Sequence, residues 1–368
     1  MASNAFFVLV VAALAIFYRS SYNLHSGRVI YNHRPGACRF VEGGPTQGVV
    51  DIDLVPSKDI AFVSPRSYFD SGRICLFNFH PDTGADRYRA HELPIVGEAF
   101  DAASFHPLGL THWLINGVIR LYAISRSSEG SYSIEVFDYD PDRGLLHNAT
   151  LRHDSFVRPR DLAAIGVDEL VITDEGVTTQ CSILTAMELA LGWRGGSVYR
   201  WDGEAFYRLL SNKGSPRGVA FDRQSGKLFV SMYSDRILDV FDLSEDHHSL
   251  ISVSSISLGE GADALSVAES GIVYASCHRS RNLAEQLRCT GGGAPSEIVR
   301  VQFNATFDAA EISEPYANDG AESISASSGV VFQNQVPLLP FYQLRMQMLI
   351  GSQCGSLIHC DVVDQAVL

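Results

Sequence analysis

The stretch that most limits what this chain can become is residues 216–243, PRGVAFDRQSGKLFVSMYSDRILDVFDL. It reads as an apolar strand, a polar DRQSG turn, a second strand, a short loop and a third strand. A strand-turn-strand-strand unit of this length is one blade of a β-propeller without its outermost strand. The pattern returns at residues 161–174 with 196–202, and at residues 263–277 with 297–303. Each unit opens with polar residues ahead of an apolar strand: Arg160-Asp161, Arg217-Gly218 and Asp263-Ala264. Innermost propeller strands begin around a central tunnel, so these openings are expected to converge on one spot. A sandwich of the immunoglobulin type is shorter and does not repeat at this spacing.

Further strands are expected over 60–64, 74–79, 118–125, 133–139 and 348–351, separated by Gly, Asp, Pro and Ser turns. Helical patterning is scarce; its best case is 182–192, SILTAMELALG, which Gly192 ends. In residues 36–55, GACRFVEGGPTQGVVDIDLV, alternation puts Asp51 and Asp53 on one face of a strand and Ile52 and Leu54 on the other. That acidic face is the first candidate functional centre. With 368 residues and 46% hydrophobic content the chain can bury a real core. Its 28 basic and 42 acidic residues leave a net charge of −14, which argues against a nucleic-acid partner, a surface that demands clustered Lys and Arg.

Residues 5–18, AFFVLVVAALAIFY, are apolar and uncharged. The run is shorter than the roughly 20 residues of a spanning helix, and Phe17, Tyr18 and Arg19 follow it in place of a small-residue cleavage site. The expected organisation is a hydrophobic leader or signal anchor over 1–20, a tether over 21–35 and a propeller over 36–368, with the membrane as a partner through the leader. Arg19, Arg28 and Arg34 favour a cytoplasmic body by the positive-inside rule. Two sequons, at Asn148 and Asn304, make sense only in the secretory lumen. Seven cysteines leave at least one thiol unpaired or intermolecular, and no CxxC pair offers a zinc site. Cys277 and Cys289 flank a polar loop, which leaves open a bridge or two buried thiols.

A family resemblance runs along the chain: GACRFVEG, DIDLVP with IAFVS, FDAASFHPLGL, RPRDLAAIG, MELALGW, PRGVAF with GKLFVS, DALSV with ASCHR, PSEIVRVQ, YANDG, and LIGS with LIHC. In order and spacing these segments resemble the paraoxonase/arylesterase family. The resemblance implies an all-β, six-bladed β-propeller closed by pairing of its N- and C-terminal strands and by a bridge between Cys38 and Cys360. It also implies two calcium ions in the tunnel and hydrolysis of lactones and aryl esters.

The centre departs from that pattern. The catalytic calcium of the family is held by a Glu, three Asn and an Asp, at positions that here read Val50, Arg160, Arg217, Ala264 and Asp263. Only Asp263 keeps a ligand, and two arginines bring positive charge where the ion would sit. The two histidines of the family near the reacting ester fall on Leu108 and Arg126, so the general base is missing; His278 matches a pocket histidine. The carboxylates of the structural calcium match Asp51 and Asp161, and its carbonyl matches Leu110. That ion is compatible with the sequence, as is the alternative that Arg160 and Arg217 neutralise the tunnel carboxylates. Two function classes follow: an ester or lactone hydrolase whose activity is weakened or lost, and a membrane-anchored propeller that binds or assists assembly of other secretory or membrane proteins.

Two local motifs read as ordinary turns. Asp138, Asp140 and Asp142 imitate the start of an EF-hand loop, but Arg143 holds the required Gly position and Ala149 that of the bidentate Glu. Glu245, Asp246, His247 and His248 read as a solvated loop. No nucleophile elbow, HExxH, Walker or dinucleotide-binding pattern occurs.

Overall fold

The computed structural model describes residues 31–45, 48–65, 72–80, 88–98, 100–178, 184–185, 188, 193–278, 295–319, 326–338, 341–352 and 357–362. The hydrophobic leader, Cys289 and most of the expected helix lie outside the described residues; of that helix, residues 184, 185 and 188 are helical.

Six antiparallel sheets are arranged as blades. Blade 1 comprises β2 (Val49–Val55), β3 (Ile60–Pro65), β4 (Cys75–Asn78) and β5 (Ala90–Glu92). Blade 2 comprises β7 (Pro107–Ile115), β8 (Val118–Arg126), β9 (Tyr132–Asp140) and β10 (Gly144–Leu151), with the short parallel β6 (Ile95–Val96) beyond them. Blade 3 runs through β11 (Pro159–Gly166), β12 (Glu169–Asp174), β13 (Gly196–Trp201) and β14 (Phe206–Lys213). Blade 4 is β15 (Pro216–Asp222), β16 (Lys227–Met232), β17 (Ile237–Leu243) and β18 (Leu250–Ser257). Blade 5 is β19 (Gly261–Val267), β20 (Val273–His278), β21 (Ser296–Phe303) and β22 (Ala310–Asn318).

The sixth blade closes the ring. Its strands β23 (Ala326–Leu338), β24 (Phe341–Ser352) and β25 (Leu357–Val362) accept β1 (Gly36–Phe40), from the other end of the chain, as their outermost strand. Cys38 lies opposite Cys360 in the β1–β25 register and is disulfide-bonded to it, 322 residues away in sequence. Closure of this kind protects the edge that an open sheet would expose.

The three strands expected over 216–243 are β15, β16 and β17, and the fourth strand of that blade is β18. Outermost strands escaped the sequence reading because they are polar and half-exposed, as in LISVSSIS of β18 and FYRLLSNK of β14. Inner and middle strands are apolar because blades stack face to face, and six buried clusters fill the six gaps between blades. Between blades 1 and 2, for example, Phe62, Leu121 and Phe137 are sealed from solvent. Burying each such side chain stabilises the ring by about 1.5–3 kcal/mol.

Near the tunnel the blades come closer than side chains normally allow. A Cβ on Gly109 would lie 2.7 Å from the Asp161 backbone, and one on Gly218 2.8 Å from the Leu265 backbone nitrogen. Glycine is required at both positions by space. The EF-hand-like segment is a turn, in which Asp140 Oδ1 accepts from the Asp142 and Arg143 amides at 2.9 and 3.1 Å. The 245–248 loop is less free than a solvated loop: His247 Nδ1 reaches Glu169 Oε2 of blade 3 at 3.2 Å. Cys277 is buried, and Cys75 is a buried thiol that burial, with Glu92 nearby, pushes up to about 11.

Candidate functional site

Every inner strand carries a register irregularity near its start: between Val49 and Asp51, Pro107 and Leu110, Pro159 and Asp161, Pro216 and Val219, Ala262 and Ala264, and Ala326 and Ser328. A bulge leaves ladder groups unpaired and re-aims side chains. Hydroxyls from the second strands fill three of these gaps. Ser64 Oγ accepts from the Asp51 amide at 2.9 Å and donates to the Leu108 carbonyl of blade 2 at 2.7 Å. Thr173 Oγ1 accepts from the Asp161 amide at 3.1 Å and donates to the Arg217 carbonyl of blade 4. Ser231 Oγ accepts from the Gly218 amide at 2.8 Å and donates to the Ala262 carbonyl of blade 5 at 3.0 Å. Two carboxylates act in parallel: the Leu110 amide donates to Asp51 Oδ2 at 2.8 Å, and the Val219 amide to Asp161 Oδ2 at 2.9 Å. These blade-to-blade bonds hold the tunnel wall in a single geometry.

The expected convergence is real. Arg160 Nη2 donates to Asp263 Oδ2 at 2.7 Å, and Arg217 Nη1 donates to Asp263 Oδ1 at 2.9 Å, so both carboxylate oxygens carry a guanidinium. His278 Nε2 lies 3.6 Å from Asp263 Oδ2. Burial opposes ionisation of Asp263, but the two guanidiniums hold its carboxyl well below the usual carboxylate range. Arg217 also lies over the Tyr233 ring at 3.7 Å, and its Nε is 2.7 Å from Glu175 Oε2. Burial disfavours the Arg217 charge, yet Glu175 and Asp263 together raise its pKa.

A second layer extends outward. Arg158, a fully buried arginine, places Nε 2.8 Å from Glu175 Oε1 and Nη2 3.4 Å from Glu188 Oε1 on the helical segment, while its Nη1 donates to the Thr178 carbonyl at 2.7 Å. The chain Asp263, Arg217, Glu175, Arg158, Glu188 thus links the tunnel to that segment. Sequence reading missed Arg158, Glu175 and Tyr233, whose partners are distant in sequence. It also missed Ser64, Thr173 and Ser231, although a hydroxyl recurs late in IAFVS, LVITD and LFVSM.

Val50 is half-buried and Ala264 buried, so neither offers a ligand. The Leu108 carbonyl is occupied by Ser64, and Arg126 accepts at its carbonyl from His106 Nδ1 at 3.0 Å. The family's catalytic ion does not fit: Asp263 already faces two permanent cations. The floor is different. Burial first, then the nearby Asp51 carboxylate, drive the Asp161 pKa well up, a surplus of negative charge that suits a hard cation. Asp51 and Asp161 are the residues that would hold such an ion. Among the described residues no three His, Cys, Asp or Glu side chains form a metal-ligating group.

The arylesterase family model matches residues 34–359, which span the ring from β1 to β25. The chain belongs to the arylesterase family. It is 25% identical over 363 residues to mechanosensory abnormality protein 6 of Caenorhabditis elegans, covering 92% of this chain and 89% of that one. It is 23% identical over 338 residues to serum paraoxonase/arylesterase 2 of Gallus gallus, covering 88% of each, and 25% identical over 349 residues to serum paraoxonase/lactonase 3 of Mus musculus, covering 91% of each. In fold alone it is similar to a calcium-binding regucalcin from Agrobacterium tumefaciens, with a TM-score of 0.54 at 12% identity over 90% of this chain and 96% of that one. The relatives of this chain thus include proteins named as hydrolases and one named for a mechanosensory defect.

Proposed function

We propose that this arylesterase-family propeller has lost the calcium-dependent ester and lactone hydrolysis of its relatives, and that it acts as a membrane-anchored binding propeller that assists other secretory or membrane proteins. The observation that carries the first part is the grip of Arg160 and Arg217 on both oxygens of Asp263. Guanidinium occupies the charge position of the metal, and no histidine stands at the matching general-base positions. The second part is supported by the relative named for mechanosensory abnormality, which is as similar to this chain as the lactonase is.

A secretory setting, in the endoplasmic reticulum, at the cell surface or secreted with the leader retained, fits three features: the Cys38–Cys360 disulfide, the apolar leader and the exposed sequon residues Asn148 and Asn304. A structural calcium on Asp51 and Asp161 is compatible with either activity. Among the described residues no helix is long and apolar enough to cross a membrane, and anchoring rests on the leader.

The test uses the purified chain with phenyl acetate and a δ-lactone, in calcium and in EDTA. The expected result is no calcium-dependent turnover above buffer; such turnover sinks the proposal. The combined variant Val50→Glu, Arg160→Asn, Arg217→Asn, Ala264→Asn should add one calcium site to whatever the parent binds, read by calorimetry. Co-purification of a defined partner from membranes tests the binding role.

A further inference from the structure

The outer rim of each blade ends in a strand edge, and an unpaired edge templates pairing with another strand unless something blunts it. Among the described residues, five of the six rims are blunted. In blade 1, β5 is three residues long and ends on Glu92; in blade 2, β10 is covered by β6. In blade 3, β14 carries Arg208 and Lys213, and in blade 5, β22 carries Glu311, Glu314 and Pro315. In blade 6, β1 is five residues long and carries Arg39. Blade 4 is the exception. Its outermost strand β18, LISVSSIS, runs for eight residues without a charge, a proline or a glycine, and among the described residues no strand pairs with its outer edge. Ile251 on this strand is 56% exposed.

The residues of that edge are arranged alike from both ends. The ladder with β17 skips Val253, because Ser252 lies opposite Phe241 and Ser254 opposite Val240. Such a bulge shifts the alternation by one residue. Ile251 and Ile256, opposite Asp242 and Leu238, therefore share one face of the strand, and Ser252 and Ser255, opposite Phe241 and Asp239, share the other. A twofold interface brings the same surface together from two copies, so it has to be its own complement. A twofold axis between Val253 and Ser254 sets Ile251 opposite Ile256 of the second copy, Ser252 opposite Ser255, and Leu250 opposite Ser257. Each of these pairs joins residues of one face, and none sets like charges against each other.

We propose that the β18 edge is a homodimer interface, where two copies of this chain pair antiparallel about a twofold axis and join two four-stranded blades into one continuous sheet. The self-complementary order of the strand selects a second copy as the occupant. A seam of eight residues a side is small beside the roughly 1,600 Å² of a stable interface, so a Kd on the order of 10–100 µM is expected. The edge lies on the outer rim of blade 4, apart from the Asp263 cluster, and the proposal stands whether or not hydrolysis is lost.

The experiment is sedimentation velocity of the purified full chain in detergent, over about 1–300 µM to bracket that Kd, with about 0.15 M salt to screen the net charge of −14 on each copy. Two double variants at exposed edge positions carry the test. Ser252→Lys with Ser255→Lys sets lysine against lysine twice across the seam and should weaken the dimer at least about tenfold. Ser252→Glu with Ser255→Lys sets opposite charges across the same seam and should return the affinity to within about threefold of the parent. Ile251→Ser only trims an exposed side chain, so its several-fold loss keeps the test valid if a charged variant fails to fold. Three outcomes overturn the proposal: a parent that stays monomeric at the highest concentration, an association that every folded variant leaves unchanged, which would assign it to the leader or another face, or a Glu/Lys variant no tighter than the Lys/Lys variant.

Discussion

Replacing Arg217 by Ala withdraws one guanidinium from two buried acids at once, Asp263 at 2.9 Å and Glu175 at 2.7 Å, and removes the cation resting on Tyr233. Breaking a buried ion pair from one side costs about 3–5 kcal/mol. Each acid here keeps a second partner, Arg160 for Asp263 and Arg158 for Glu175, so the lower end, about 3 kcal/mol, is expected. At about 2.1 cal/mol/K per residue, a propeller of some 330 residues unfolds with an entropy near 0.7 kcal/mol/K, and the loss becomes a Tm drop of about 4 °C. Among the described residues the Arg160 guanidinium forms an ion pair with Asp263 alone, which retains Arg217, so Arg160→Ala should cost less, about 2 kcal/mol or 3 °C. Asp263→Asn is also destabilising, because it leaves two guanidiniums facing each other. The double variant Arg217→Ala, Asp263→Asn should therefore lose less than the sum of its parts, with a coupling of about 1–3 kcal/mol. Scanning calorimetry at pH 7.5 in EDTA reads the parent and all four variants. A Tm change under about 1 °C in Arg217→Ala, or strict additivity in the double variant, would refute the reasoning.

Two further outcomes are open to measurement. Replacing both Cys38 and Cys360 by Ser opens a loop with a sequence separation of 322; the chain-entropy model puts the loss at about 6 kcal/mol, a Tm drop of about 8 °C that dithiothreitol should reproduce in the parent and not in the variant. Asp174 is pushed up to about 6 by burial, against the amides of Val157, Arg158 and Gly176 that donate to it. The folded state therefore binds its proton more tightly than the unfolded chain, whose value is near 4, so this group's stabilisation is complete below about pH 4 and lost as pH rises through about 6. Two pKa units amount to about 3 kcal/mol, and Asp174→Asn should flatten the urea-midpoint profile between pH 4 and 6.5; parallel profiles for parent and variant would contradict the assignment.

Much of the ring was legible because blade packing leaves a mark on residue order. Strands β16 and β17 were readable to their ends, since both faces of LFVSM and LDVF meet neighbouring blades and the turns between carry Gly, Ser and Asp. Strands β14, β18 and β22 were not, because an outermost strand packs on one side only and tolerates Ser, Asn and Glu as a loop does. The polar openings Arg160, Arg217 and Asp263 stood out for the same reason: charge at the head of a buried strand demands a partner.

Sequence by itself determined the repeat, the cysteines at the two ends of the chain and the charged residues Arg160, Arg217 and Asp263 at the strand openings, all of which are properties of residue type and order. Tertiary structure decided who neutralises whom. Arg160 and Asp263 are 103 residues apart, Arg217 and Asp263 are 46 apart, and His112 and Asp53 are 59 apart. Nothing local selects those partners, because a charge or a lone pair is satisfied by distance in space. Only ring closure, which brings the strand openings to one end of the tunnel, makes the arginine-gripped Asp263 a site.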